Sequence, residues 1–273
     1  MRRLINRRPD IATRFGLMLL PFVLVIIAYM VASEARLSVN PNDKLLPGWS
    51  TISAAIERMA FQPDQRTGNY LLWTDTMSSL QRLGIGVAVA TLIGGIFGVL
   101  QGLIPHFRAT FSAFTGVLSM IPPLAVLPIL FIMFGLGELS KVVLVAIGIA
   151  PFIIRDLALR TEAIPHEEII KAQTLGASTW QIILRVVVPQ MLPRLIDAVR
   201  LSLGAAWLFL IAAEAIASDS GLGYRIFLMR RYLAMDVILP YVMWITFLAF
   251  ALDLALRLFQ RAAFRWMYRG NGA

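Results

Sequence analysis

Residues Glu168 to Pro189 read EIIKAQTLGASTWQIILRVVVP, a moderately polar helix-turn-helix pattern flanked by segments apolar enough to sit in a bilayer. Pro165, Glu167 and Glu168 have the character of a helix start, with proline in the first turn and carboxylates at the positive end of the helix dipole. This helix is expected to run to Leu175. Gly176 suits a left-handed terminating residue, and Ser178 with Gln181 three residues later fits a capping box that opens a second helix. The second helix is expected to stop as Pro189 approaches, leaving two short helices joined at a glycine elbow. On shape alone the elbow is either a rigid element that transmits force or an ordered loop.

Outward from this stretch the chain turns apolar. Hydrophobic residues make up 58% of the 273 and charged ones only 15%, against roughly 45–50% apolar in soluble domains. The apolar residues come in blocks near the ~20 needed to cross a bilayer as helix, and the alternation of barrel strands is absent. Phe15–Ala32, Leu83–Ile104 and Thr110–Gly137 carry no charge. Leu139–Leu159 has a charge-free centre of only Val142–Ile154 and needs Lys141 and Arg155 to snorkel. Leu195–Ala213 and Val237–Leu256 tolerate charges near one end. The expectation is an all-α integral membrane protein with six transmembrane helices. Its membrane domain, residues 15–260, holds the elbow helices at about 165–188, between a cytoplasmic segment 1–14 and a cytoplasmic tail 261–273.

Orientation follows from the basic residues. With both termini in the cytoplasm, most of the 25 Lys and Arg fall inside, among them Arg2, Arg3, Arg7, Arg8, Arg14, Arg108, the run from Arg155 to Arg200, and Arg257, Arg261, Arg265 and Arg269. This is the direction of the positive-inside rule, and it puts the elbow on the cytoplasmic side between the fourth and fifth spans. The outer loop from Ser33 to Arg82 balances its basic residues with Glu34, Asp43, Glu57, Asp64 and Asp75. The net charge of +9 is thereby assigned to orientation and anionic lipid, and no nucleic acid is expected. Cysteine is absent, so thiol chemistry is excluded, and His106 and His166 offer no metal cluster. Met30–Arg36, MVASEAR, is a poor cleavage site, so the first crossing reads as a retained helix.

Three further patterns bear on packing. Ile52, Ala55, Ile56 and Met59 recur at helical spacing in the outer segment, which is expected along the outer interface. In the second span Gly86, Ala90, Gly94, Gly98 and Gly102 form a stripe of small side chains that lets another backbone approach, within the chain or across a subunit interface. In the third, Pro122, Pro123 and Pro128 remove backbone donors in the middle of a charge-free run. A broken helix is expected there, either as a packing kink or as the border of a conduction path.

The segment Ala172-Gln173-Thr174-Leu175-Gly176-Ala177-Ser178, followed by Val186, Val188 and Pro189, resembles the EAA loop of bacterial ABC importer permeases. Gly176 and Pro189 fall at that motif's spacing, whereas Ile170 and Lys171 stand where many members have Glu-Ala. The likeness runs from about Leu80 to Arg269. Ile121–Val142 looks like the proline-rich third span of nitrate, sulfonate and taurine permeases. Arg200–Trp207, Ala212–Glu214 and Gly221–Gly223 look like the same subfamily's fifth span and outer loop.

The resemblance implies a MetI-like type I ABC importer permease fold and a bacterial cytoplasmic (inner) membrane location. It implies a second permease copy, expected as a homodimer, two cytoplasmic ATPase subunits, a periplasmic or extracellular substrate-binding protein, and a lipid surround. Ala172, Leu175, Gly176, Ala177, Ser178 and Pro189 would couple to the ATPase. Pro122, Pro123, Pro128, Trp207 and Glu214 are the candidates for the path or gate of a small polar solute. No cofactor is expected in this chain: it has no GxxxxGK[ST] loop, so ATP and Mg belong to the partner and the chain is not itself an enzyme. Glu214 is expected near the outer surface, solvated or bonded to amides of the Ser218–Gly223 turn. Asp197 with Arg200 and Asp253 with Arg257 have the spacing of intrahelical ion pairs. The rival reading is a non-conducting scaffold that docks a cytoplasmic partner, which has no need of the mid-membrane proline break.

Overall fold

The computed structural model describes residues 10–41, 43–65 and 67–269; residues 1–9 of the expected cytoplasmic segment and 270–273 of the tail lie outside them. The described chain is helical throughout, with five helices long and apolar enough to cross a membrane, or six when one bent pair counts as a single span. The elements are α1 (Ile11–Val39), α2 (Trp49–Ala60), α3 (Leu71–Leu103), α4 (Pro105–Leu118), α5 (Pro123–Phe134), α6 (Glu138–Glu162), α7 (His166–Thr174), α8 (Thr179–Ile182), α9 (Val188–Ile216), α10 (Leu222–Arg230), α11 (Met235–Ala263) and α12 (Arg265–Arg269).

The core is α3 laid against α6, with α9 completing a three-helix centre. The small-residue stripe makes this possible. An added Cβ would stand 2.8 Å from Val145 at Gly86, 2.4 Å from Ile153 at Gly94, 2.8 Å from Leu157 at Gly98 and 2.4 Å from Thr161 at Gly102. The stripe thus faces α6 of the same chain, which is the intrachain alternative. Hydrocarbon lipid gives no hydrophobic drive to helix pairing, so the van der Waals contact allowed by missing side chains is what joins α3 to α6. Around this pair Ile149, Ile153, Ala206, Leu210 and Tyr241 form the buried centre.

The segment between α1 and α3 is anchored at one end. Tyr29 donates to the Pro47 carbonyl at 2.7 Å, Ser33 to that of Leu46 at 3.0 Å, and Arg36 pairs with Asp43. In α2, Ile52, Ala55 and Met59 turn inward as their spacing predicts, while Ile56 is 40% exposed. The inward face meets α11, so α2 is packed onto the bundle. Apart from Tyr29, Ser33 and Leu37, the long apolar helix α1 leaves its described side chains exposed.

The third span breaks as expected, between α4 and α5, which meet at 94°, and three expectations change. The break falls at Pro122 and Pro123, whereas Pro128 lies inside α5 without ending it. Pro122 and Pro123 can offer no N–H to the carbonyls four residues before them, which is where the ladder stops. In the fourth span Lys141 does not snorkel. It is 2% exposed and donates to Glu138 and Ser218, each at 3.2 Å, because polar partners lie within its reach. Finally, the second elbow helix does not stop near Pro189. A π-helical turn, Ile183–Val187, carries it into α9, giving one helical run from Thr179 to Ile216. Val188 bonds back five residues to Ile183, and this wider turn takes up the missing donor of Pro189 and the crowding of its ring against the preceding turn.

Candidate functional site

Two places concentrate polar and conformational detail: the elbow at one end of the bundle and a buried ion cluster at the other. The elbow begins at Pro165, which caps α7, with Glu167 and Glu168 in the first turn. It closes in a full Schellman arrangement, Ala177 N–H to the Ala172 carbonyl at 3.0 Å and Gly176 N–H to that of Gln173 at 2.9 Å. Gly176 has φ +80°, and nothing lies within 4 Å of an added Cβ, so the glycine serves the backbone conformation alone. The capping box forms in both directions, Ser178 N–H to Gln181 Oε1 at 2.8 Å and Gln181 N–H to Ser178 Oγ at 3.4 Å.

The elbow is bolted to the bundle. Ile164, Ile182, Ile183, Val187 and Met191 bury themselves with Val99 of α3 and Leu157 of α6, and Ala172 and Ala177 pack on the same cluster. Gln190 donates to Glu168 at 2.8 Å, tying α7 to the start of α9. Apolar side chains of the elbow stay exposed: Ile170 and Leu175 (87%) on and just after α7, and Trp180 and Leu184 on the second helix, where they line an apolar groove with Leu83, Val87 and Leu195. Of the six expected coupling residues, Ala172, Leu175, Gly176, Ala177 and Ser178 come together here. Pro189 sits beyond the π turn, in the first turn of α9.

At the far end Glu214 is fully buried. It accepts from Arg82 Nη1 at 2.7 Å, Ser79 Oγ at 2.8 and 3.0 Å and Gly223 N–H at 2.9 Å. The bond to the Gly223 amide is the one anticipated; solvation is absent. Arg82 continues to Glu138, which also receives Lys141, and to the Ser220 carbonyl at 2.7 Å. Beside it Asp75 accepts from Gly221 N–H at 3.0 Å, Arg225 at 2.8 Å and Tyr241 at 3.1 Å. Gly221 has φ +124°, and its Cβ would meet the Glu214 carboxylate at 2.5 Å. Loop 218–221 and α10 are therefore pinned to α3, α9 and α11 by charge pairs in which each buried ion has several partners.

Sequence reasoning missed this cluster by assigning Asp75 and Arg82 to a solvated loop; both lie in α3 and are buried. A signal was present. Asp75, Ser79 and Arg82 continue the small-residue stripe toward the N-terminus of α3 at helical spacing, on the face that meets α6 and α9.

The remaining path candidates separate. Pro122 and Pro123 stand at the α4–α5 break, where Pro123 lines a cavity closed by α6 and Phe209, whereas Trp207 lies in the core. The intrahelical pairs Asp197–Arg200 and Asp253–Arg257 form at 3.3 and 3.1 Å, and Arg200 also bridges to Asp253 across α9 and α11 at 2.8 Å.

A polytopic helical bundle with a proline-broken span and a rigid, apolar-faced elbow is the architecture of a membrane transport component. The chain belongs to the family of binding-protein-dependent transport system inner membrane components, whose pattern matches residues 90–268. It is 37% identical over 252 residues to the taurine transport system permease protein TauC of Escherichia coli, covering 86% of this chain and 91% of that protein. A putative aliphatic sulfonates transport permease, SsuC of Bacillus subtilis, is 26% identical over 93% of this chain and 89% of its own length. The nitrate import permease NrtB of Synechococcus elongatus is 31% identical over 54% of this chain and 53% of its own. Among solved structures, a chain of the inward-facing MetNI methionine ABC transporter superimposes with a TM-score of 0.64 at 23% identity, over 73% of this chain and 99% of that one, a likeness of fold. The protein is thus a multi-pass inner-membrane permease subunit of an ABC importer, working with a separate ATPase and a substrate-binding protein.

Proposed function

We propose that two copies of this chain enclose the path of a small polar oxoanion of the taurine, sulfonate or nitrate kind, and that Ala172, Leu175, Gly176, Ala177, Ser178 and Pro189 carry the ATPase stroke into it. The termini and the elbow then lie in the cytoplasm, lipid surrounds the pair, and ATP with Mg is bound by the partner. Pro122, Pro123 and Pro128 shape the path, with Trp207 supporting it from the core, and Glu214 is the anchor that holds the outer gate shut.

The observation that carries this reading is the elbow's two-sidedness. One side is fused to α3 and α6 through a buried apolar cluster, while Ile170 and Leu175 at the α7 end of the elbow stay exposed and are available to a partner. Movement of the exposed face is passed to the spans because a packed interface shifts as a body.

The test is Gly176→Leu in the assembled importer. The site has room for the side chain but not the backbone freedom, so the strain falls on the elbow at about 1–2 kcal/mol. Cargo-stimulated ATP hydrolysis and uptake should both fall; unchanged uptake would count against force transmission through the elbow.

A further inference from the structure

The break between α4 and α5 opens on a cavity of about 700 Å³ walled by α6 and by Phe209 of α9. Its only side chains with polar groups, among the described residues, are Ser119, Arg155 and Asp156. Asp156 is engaged, accepting from Arg160 at 2.6 Å. Arg155 is not neutralised: it donates through Nη1 to Ser119 Oγ at 2.8 Å, and among the described residues no carboxylate forms an ion pair with it. Arg82, Arg160 and Arg200 each face a carboxylate. Arg155 stands seven residues before the last residue of α6, about 10 Å along the helix axis.

A guanidinium within a span is expensive unless a counter-charge or a water-filled cavity receives it. Here the cavity is present, and the one carboxylate that lines it, Asp156, is paired with Arg160 and not with Arg155. The guanidinium also keeps donors beyond the one given to Ser119, in a planar fork that matches two oxygens of one anion. Ser119 sits immediately before the proline break, so the cation is held where the chain has already lost its regular backbone ladder.

We propose that Arg155, steadied by Ser119, is the cationic contact for a small monovalent oxoanion, of the sulfonate class, as it crosses this cavity. The proposal rests on the reading of the chain as an importer's path. One arginine, partly exposed and without a second cation beside it, holds an anion long enough to offset its charge and weakly enough to release it, as conduction requires.

The experiment is arginine-selective labelling with phenylglyoxal of the assembled importer in lipid nanodiscs, read at Arg155 by peptide mass spectrometry. Ethanesulfonate at about twice its Kd should slow labelling of Arg155 about threefold, as the free fraction falls with 1 + [L]/Kd. Dimethyl sulfone, similar in size but uncharged, should leave it unchanged, as should either compound at Arg257, which already pairs with Asp253. Equal rates at Arg155 with both compounds, or no labelling of Arg155 at all, would overturn the assignment. In proteoliposomes given labelled taurine, Arg155→Gln should lower uptake about tenfold, the loss expected for a charge-assisted hydrogen bond, while binding-protein-stimulated ATP hydrolysis stays within about twofold. Arg155→Lys should recover part of the uptake. Parallel loss of hydrolysis and uptake would make Arg155 a structural residue and sink the proposal. Protection from labelling needs neither ATP nor the elbow, so it separates a failure at this site from a failure of the importer reading, which Gly176→Leu addresses.

Discussion

Replacing Glu214 by Gln changes almost no volume and tests whether the buried ion cluster is held by charge. The carboxylate receives donors on both oxygens, Arg82 and Ser79 on one, Ser79 and Gly223 N–H on the other. An amide has one acceptor and one donor end, so either rotamer sets its NH₂ against a donor, the Gly223 N–H or the Arg82 guanidinium. An unsatisfied buried N–H costs about 1–3 kcal/mol, and the weakened ion pair adds to this. Arg82 keeps Glu138 and the Ser220 carbonyl, which holds the total below the upper range for a broken buried pair, at about 3 kcal/mol. That is about a hundredfold in the folding equilibrium. Equilibrium unfolding in mixed micelles with rising dodecyl sulfate, followed by tryptophan emission, should show the loss. The combined replacement Arg82→Leu with Glu214→Leu should lose less than Arg82→Leu alone, because no buried charge is left unmatched and Glu138, 63% exposed at its side chain, can be hydrated. A change below about 0.5 kcal/mol for Glu214→Gln, the level of an ordinary surface substitution, would refute the reasoning.

Other outcomes follow from the same geometry. Gly94→Val should destabilise by about 1–3 kcal/mol in the same unfolding assay, since Ile153 already stands 2.4 Å from the new Cβ. Gly84→Ala, one helix face away with nothing within 4 Å, should be neutral or stabilising by about 0.5–1 kcal/mol. Ser178→Ala removes one arm of the capping box and should lower elbow protection by about 1 kcal/mol, measured by hydrogen exchange at the amides of residues 179–182. Asp43 accepts from the Leu45 N–H and from Arg36, which together hold its carboxyl below the usual range. A depressed folded pKa means that the stabilisation is present above the unfolded value of about 3.9 and is lost as pH falls through the folded one. A carboxyl titration by NMR should find the midpoint below that value; one at or above it would deny the interaction.

Most of the helical content and the elbow were legible because both arise from local chemistry. Apolar blocks of bilayer length have no other stable form in lipid, and a glycine followed by Ser-x-x-Gln satisfies helix ends with residues three or four apart in the chain. The break at Pro122–Pro123 belongs to the same class, since a missing N–H acts on its own turn. The α8–α9 junction was misread because proline is a local signal that a π turn can absorb once Ile182, Ile183 and Val187 are buried against α3 and α6.

The sequence by itself determined that this is a helical membrane protein with a glycine-closed elbow and an interrupted third span, because period, length and capping are properties of neighbouring residues. Tertiary structure alone decided which charges are solvated and which are locked away. Asp75, Arg82, Lys141 and Glu214 lie as much as about 140 positions apart in the chain, and a charge is stable in the interior only where a distant helix supplies its partner. It also decided that Arg155, unlike these, faces an open cavity whose one acid, Asp156, is paired with Arg160.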